Sequence, residues 1–257
     1  TVLSLFASLA QLLTPRRYGH LMPYVAGVTT AVVAFFVSVM LFGSSPFERL
    51  PYTPADGRGL NPQLQNVGMV IHPPMLYLGY ISITIPFAFA IAALLTRRLD
   101  TGWIQAIRKW TIVSWLFLSI GITLGMWWAY VELGWGGYWA WDPVENASLL
   151  PWLTMTAFLH SVMIQEKRGM LKRWNLGLII GTFLLSIFGT FITRSGVIAS
   201  VHSFTQSNVG YFFLGFLVVA AVLSFTLLYT RWPQLEAEGR RESMLSGEAA
   251  FLCNNLL

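Results

Sequence analysis

Three histidines and one cluster of tryptophans are the residues of this sequence suited to chemistry beyond packing. Residues 125–152, GMWWAYVELGWGGYWAWDPVENASLLPW, hold six of the eleven tryptophans: Trp127, Trp128, Trp135, Trp139, Trp141 and Trp152. The segment has no Lys or Arg, and Gly134, Gly136 and Gly137 separate its aromatics. Such glycines let the backbone turn tightly and approach a flat ligand, while each indole offers a rigid apolar face with one N–H donor. The expected product is an aromatic shelf. His72 opens the run HPPMLYLGY, where Pro73 and Pro74 are expected to stop helix from propagating back across it. The imidazole is then held at a helix entrance. His202 lies in a short loop between two spans, running from Arg194 to Asn208, and Arg194 is the one cation close to it on that side. Two neutral imidazoles facing each other across an aromatic floor can clamp a haem iron from both faces.

His160 makes a different demand. Thirteen residues along a helix from Ala147, at 1.5 Å each, place it about 20 Å down, past the middle of a hydrocarbon core about 30 Å thick. An ionisable residue at that depth is a functional candidate by default. His20, beside Arg16 and Arg17, is not.

Each residue also has an ordinary explanation. Tryptophans near a membrane surface commonly form an aromatic belt without a ligand. Asp142-Pro143-Val144-Glu145 has the form of a helix start, with Asp at the N-cap and Glu three residues on, so its spacing needs no acid–base pair. A lone histidine is more often a hydrogen-bonded residue than a metal ligand, and Arg194 suits a headgroup or helix end as well as a ligand carboxylate. The conjunction favours the porphyrin reading; no single residue does.

The elements that must position these groups are membrane spans. With 55% apolar and 11% charged residues, the chain lies outside the composition of soluble domains. Its apolar runs approach or exceed the roughly 18 to 20 residues needed to cross a bilayer. They fall at about residues 21–42, 74–95, 110–130, 147–165, 176–193 and 209–229, with 2–13 as the end of a further helix. Residues 44–68, rich in Pro, Gly, Asn and Gln, read as a loop with a short surface helix near 62–69. Arg97, Arg98, Arg108 and Lys109 read as one basic loop. A net charge of +5 would invite nucleic acid in a soluble protein, but here the basic residues cluster between apolar runs, which is the mark of orientation in a membrane. No nucleic-acid partner is expected. Of the sixteen Lys and Arg residues only Arg49, Arg58 and Arg194 fall on the side of the tryptophans, so that side faces outward. Cys253 is the one cysteine, which excludes an internal disulfide; thiol chemistry would draw on a partner's thiols. The expected fold is all-α, a polytopic transmembrane bundle with an external tryptophan-rich loop. Its parts are residues 1–68 (transmembrane helices and outer loop), 69–208 (ligand-handling region, with the loop at 126–152 flanked by His72 and His202) and 209–257 (a last span and cytoplasmic segment). The absence of an initiator Met or signal peptide leads us to expect a piece of a longer chain.

The stretch WGGYWAWDPVENAS, from Trp135 to Ser148, resembles the tryptophan-rich WWD signature of haem-handling membrane proteins. More narrowly, DPVENAS with Trp152 close behind resembles the haem lyase family of bacterial cytochrome c maturation. That resemblance implies an inner-membrane protein with a periplasmic active face. It implies that His72 and His202 ligate haem b brought by a periplasmic haem chaperone, over a floor that includes Trp135, Trp139, Trp141 and Asp142, with Arg194 nearby. It implies that His160 is the first of two ligands to a resident haem b, the second lying on a later helix outside these residues. Partners implied are apocytochrome c, other subunits of the lyase complex and quinol. Covalent attachment of haem to apocytochrome c is the expected activity, with no catalytic acid or base assigned. A transporter that presents haem to a chaperone without forming bonds is the alternative, and a quinol oxidoreductase using the membrane haem alone a weaker third.

Overall fold

The computed structural model describes residues 2–45, 47, 49, 51–57, 59–134, 136–198, 200, 202 and 209–235. These form eight α-helices and, among the described residues, no strand: α1 Val2–Leu13, α2 Met22–Ser38, α3 Val67–Ser82, α4 Thr84–Thr96, α5 Gly102–Glu132, α6 Pro143–Arg168, α7 Lys172–Ser195 and α8 Val209–Thr230. Turns of 3-10 helix (Arg16–Leu21) and π-helix (Val39–Gly43) extend α2, and α3 runs into α4 through Ile83. Six helical stretches are thus long and apolar enough to cross a membrane: Arg16–Gly43, Val67–Thr96, α5, α6, α7 and α8. The chain is an all-α, multi-pass membrane protein, as its apolar runs predict.

At the centre stands α4, whose residues 84–94 are buried on every face. It lies against α2, α5, α7 and α8, and Phe87 stacks on Phe183 of α7 with ring centroids 3.9 Å apart. Around it the helices are joined by side-chain hydrogen bonds. The Trp152 indole donates to Ser119, the Trp115 indole to Thr156, each at 2.8 Å, and Thr182 to Thr154 at the same distance. In lipid such bonds stabilise helix pairs by about 0.6 kcal/mol each, so they select neighbours more than they drive association. Pro151 sits inside α6 and offers no N–H to the carbonyl four residues back. The Tyr80 hydroxyl of α3 donates to that carbonyl, Ala147 O, at 3.1 Å. It reaches there because Gly189 of α7 presents no Cβ to block it.

Several sequence-based boundaries shift. Helix α3 begins at Val67, not after the prolines, so His72 lies inside a helix and not at its entrance. Asn66 caps it by accepting from the Gly68 N–H at 2.7 Å. Each proline removes its own N–H donor and crowds the carbonyl four residues back, and packing against a neighbouring helix makes these costs tolerable in a membrane span. The surface helix expected near 62–69 shrinks to the 3-10 turn Pro62–Leu64. Arg108 and Lys109 belong to α5, which starts eight residues before Trp110 at Gly102. Among the described residues the irregular part of the tryptophan segment is confined to 133–134 and 136–142, since Trp127 and Trp128 lie in the last two turns of α5 and Trp152 is packed inside α6 against Trp115. Trp135, Cys253 and the segment 236–257 lie outside the described residues.

Candidate functional site

The site begins with a close helix pair. A Cβ on Gly79 of α3 would lie 2.8 Å from the backbone nitrogen of Leu118, and one on Gly121 of α5 would lie 2.7 Å from the backbone of Leu76. Only glycine permits that approach, and small residues serve this purpose in membrane helix pairs. His72, four residues before Leu76, is thereby laid over α5, its ring 2.7 Å from where a Gly125 Cβ would stand. Its Nδ1 is 2.6 Å from Gly121 O. A carbonyl can only accept, so Nδ1 carries the hydrogen and Nε2 keeps its lone pair. Among the described residues Nε2 has no hydrogen-bond partner.

His202 is fixed by other partners. Its Nδ1 lies 3.1 Å from Asp142 Oδ2, its backbone N–H donates to Ser200 Oγ at 3.0 Å, and its ring meets Trp128 edge-on at 6.3 Å between centroids. Asp142 Oδ2 also accepts from the Ser200 hydroxyl at 2.7 Å and from the Val144 N–H at 3.0 Å. Partial burial pushes this carboxyl up, but the Ser200 hydroxyl, the Val144 N–H and His202 outweigh it and hold Asp142 below the usual carboxylate value. As an ionised acceptor it places the His202 hydrogen on Nδ1 and again leaves Nε2 free.

Glu145 completes the frame. The capping box is present, and the Glu145 carboxylate accepts from the backbone N–H of both Ala140, at 2.9 Å, and Asp142, at 3.2 Å. Between them Trp141 is held at φ +58°, a left-handed conformation unusual for a bulky residue, with its carbonyl accepting from Asn146 at 3.1 Å. The strain presents its indole, 72% exposed, beside Trp139, whose ring it meets edge-on at 6.4 Å. The Trp139 N–H is buried and finds no acceptor among the described residues. Two free imidazole nitrogens, an orphaned indole donor and an exposed indole face make a donor set suited to a flat metal complex with polar edges.

Comparison with known proteins gives the family of the chain. The family described as "Cytochrome C assembly protein" matches residues 2–199. The chain belongs to that family. It is 51% identical over 224 residues to the "Cytochrome c-type biogenesis protein CcmF" of Pseudomonas aeruginosa, covering 86% of this chain and 34% of that protein. It is 46% identical over 258 residues to the "Cytochrome c-type biogenesis protein CycK" of Bradyrhizobium diazoefficiens, covering 100% and 39%. A solved structure named "Cytochrome c Heme Lyase CcmF" superposes with a TM-score of 0.74 at 38% identity, over 99% of this chain and 37% of that one. The chain therefore spans between a third and two fifths of the length of these relatives.

Within this cytochrome c assembly protein the predicted residues divide. His72, His202, Asp142, Trp139 and Trp141 gather at one end of the bundle, and Trp135 lies outside the described residues. Arg194 is exposed in the last turn of α7 and forms no ion pair among the described residues. His160 stands apart on α6. Its Nδ1 bonds the carbonyl of its own helix, Thr156 O, at 2.8 Å, and its ring faces outward. It lines an apolar groove of about 200 Å3 between α5 and α6, with Ile107, Thr111, Phe158 and Met163. Arg108 and Glu166, 3.9 Å apart, close the groove at the basic end. Sequence reading missed Gly121, Gly125, Ser200 and the double role of Glu145. The first two stand four apart on one helix face, a small-xxx-small signal that could have found them. Ser200 carries no such signal.

Proposed function

We propose that this chain is the haem-receiving part of a lyase that attaches haem covalently to apocytochrome c. The observation that carries the reading is the pair of imidazoles, His72 and His202, each tied through Nδ1 to an acceptor and each offering Nε2. Metal-ligating histidines are held in this way. Haem b, delivered as substrate by a periplasmic haem chaperone, is ligated by this pair at the outer face of the bacterial inner membrane. Trp139 and Trp141 support the porphyrin plane, and the Trp139 N–H is placed to serve a polar edge of it. Each cysteine thiol of the apocytochrome C-x-x-C-His segment then adds across a haem vinyl group: the sulfur bonds one carbon, the hydrogen goes to the other, and nothing leaves. The chain's contribution is positioning, and no acid or base is assigned. The name of the solved relative favours bond formation over presentation to a chaperone.

His160 suits a resident haem b. An imidazole in an apolar groove, with Nδ1 bonded to its own helix and Nε2 without a partner among the described residues, is suited to ligate iron. When bound, such a haem supplies electron transfer, with quinol as donor and other subunits of the complex as neighbours. The chain's own part is to hold one nitrogen at that position.

The test is replacement of His72 or His202 by Ala in the full-length protein. Mature cytochrome c is expected to fall at least 100-fold with protein abundance unchanged, and imidazole added to glycine variants should restore part of it. Normal haem attachment in the double variant removes both residues from the site.

A further inference from the structure

His72 and His202 offer their Nε2 atoms on unequal terms. His72 donates its Nδ1–H to a neutral carbonyl, Gly121 O, whereas His202 donates to the Asp142 carboxylate. A carboxylate on the far nitrogen raises the basicity of the ligating one and fixes the ring, and a charge-assisted bond is roughly twice as strong as a neutral one. The shorter distance at His72 does not reverse this order, because a peptide carbonyl carries no net charge to lend. Asp142 is itself braced by the Val144 N–H and the Ser200 hydroxyl, so the His202 side ties the start of α6 to the segment after α7.

We propose that Asp142 is a positioning residue that makes His202 the retained ligand of the haem iron, and that His72 is the ligand that yields its place to the histidine of the incoming C-x-x-C-His segment. This rests on the reading of the outer site given above. The exchange balances without further reactants. The iron–nitrogen bond to His72 breaks, the bond to the incoming histidine forms, and one neutral imidazole replaces another with no proton or electron moved. His72 stays seated against α5 by its bond to Gly121 and can accept the next haem.

The experiment uses the full-length protein with haem at its outer site and a peptide of the apocytochrome segment in which serines replace both cysteines. The peptide supplies the histidine without the thiols. In His72→Gly the peptide should bind the free face at least tenfold more tightly than in the unaltered protein, and the haem should remain with the protein. In His202→Gly the peptide should carry the haem away. The reverse pattern, or equal loss of haem from the two variants, overturns the proposal and leaves the ligand pair intact. Haem retention unchanged in both glycine variants overturns the ligand pair and the proposal with it. Asp142→Asn keeps a capping oxygen at the start of α6, with folding checked by circular dichroism. It should speed haem loss about tenfold in the unaltered background and have little effect in His202→Gly. An equal effect in both backgrounds would mark Asp142 as a helix cap only and overturn its positioning role.

Discussion

Two imidazole environments in this bundle differ in what holds them. At the tryptophan end His72 and His202 are bonded to other elements, α5 and the Asp142 cap of α6, and their rings have one orientation each. In the groove between α5 and α6 His160 bonds, among the described residues, only the preceding turn of its own helix, and its outward face is open. An imidazole fixed by other elements brings a pre-formed ligand geometry. One fixed by its own turn has to take its geometry from whatever faces it. The lesson is that a site's completeness is read from the partners of the far nitrogen, not from the histidines alone.

The largest expected effect breaks the two environments apart. His160→Gln in the full-length protein should abolish a b-type absorption band, because an amide is a far weaker iron ligand than imidazole, and leave haem binding at the outer site unchanged. Loss of both signals would show that the two are coupled. A full band in His160→Gln would leave His160 with a packing role. Next, Gly121→Ala drives a methyl into the Leu76 backbone and should cost about 1–3 kcal/mol while lifting His72 from its carbonyl. Thermal unfolding gives the first quantity and haem titration the second, and the His160 band should stay.

Smaller effects sharpen the outer site. Glu145→Ala leaves the N–H groups of Ala140 and Asp142 without their acceptor, at a cost of about 1–3 kcal/mol. Trp141 should then relax from its left-handed conformation, shifting tryptophan fluorescence, while Glu145→Gln keeps an acceptor and loses less. The smallest effect is that of pH. Asp142 has a folded value below its ordinary 3.8, so its contribution is complete above that value and is lost only as pH falls through the lower folded one. Haem retention at the outer site should stay flat from neutral pH down to about pH 4 and decline below. A decline beginning near pH 6 would mean that a group other than Asp142 controls retention.

Much of the frame is legible in the sequence alone. The six spans follow from apolar runs, because a helix that must hide its backbone from lipid leaves a long uninterrupted signal. The capping box at Asp142 and Glu145 is legible for a similar reason: its partners lie within one turn. The place of His72 is not, because two prolines read as a stop signal in isolation, whereas packing on α5 carries the helix through them. The bond from Ser200 to Asp142 joins residues far apart in the chain, and no local spacing announces it. The same limit hides the outward face of His160, since depth along a helix fixes height but not which neighbour the ring meets.

The enclosure of α4 also bears on how the molecule is made. The helix touches α5, α7 and α8, all synthesised after it, so for part of its life the faces that end up against protein must face lipid. Its sequence, TIPFAFAIAALLT, tolerates both situations, since it carries no charge or amide and its two threonines stand at the ends. Its alanines leave room for later helices to displace lipid and approach closely. The most deeply enclosed helix is thus one that can wait, and the molecule can be assembled around it in the order in which it is translated.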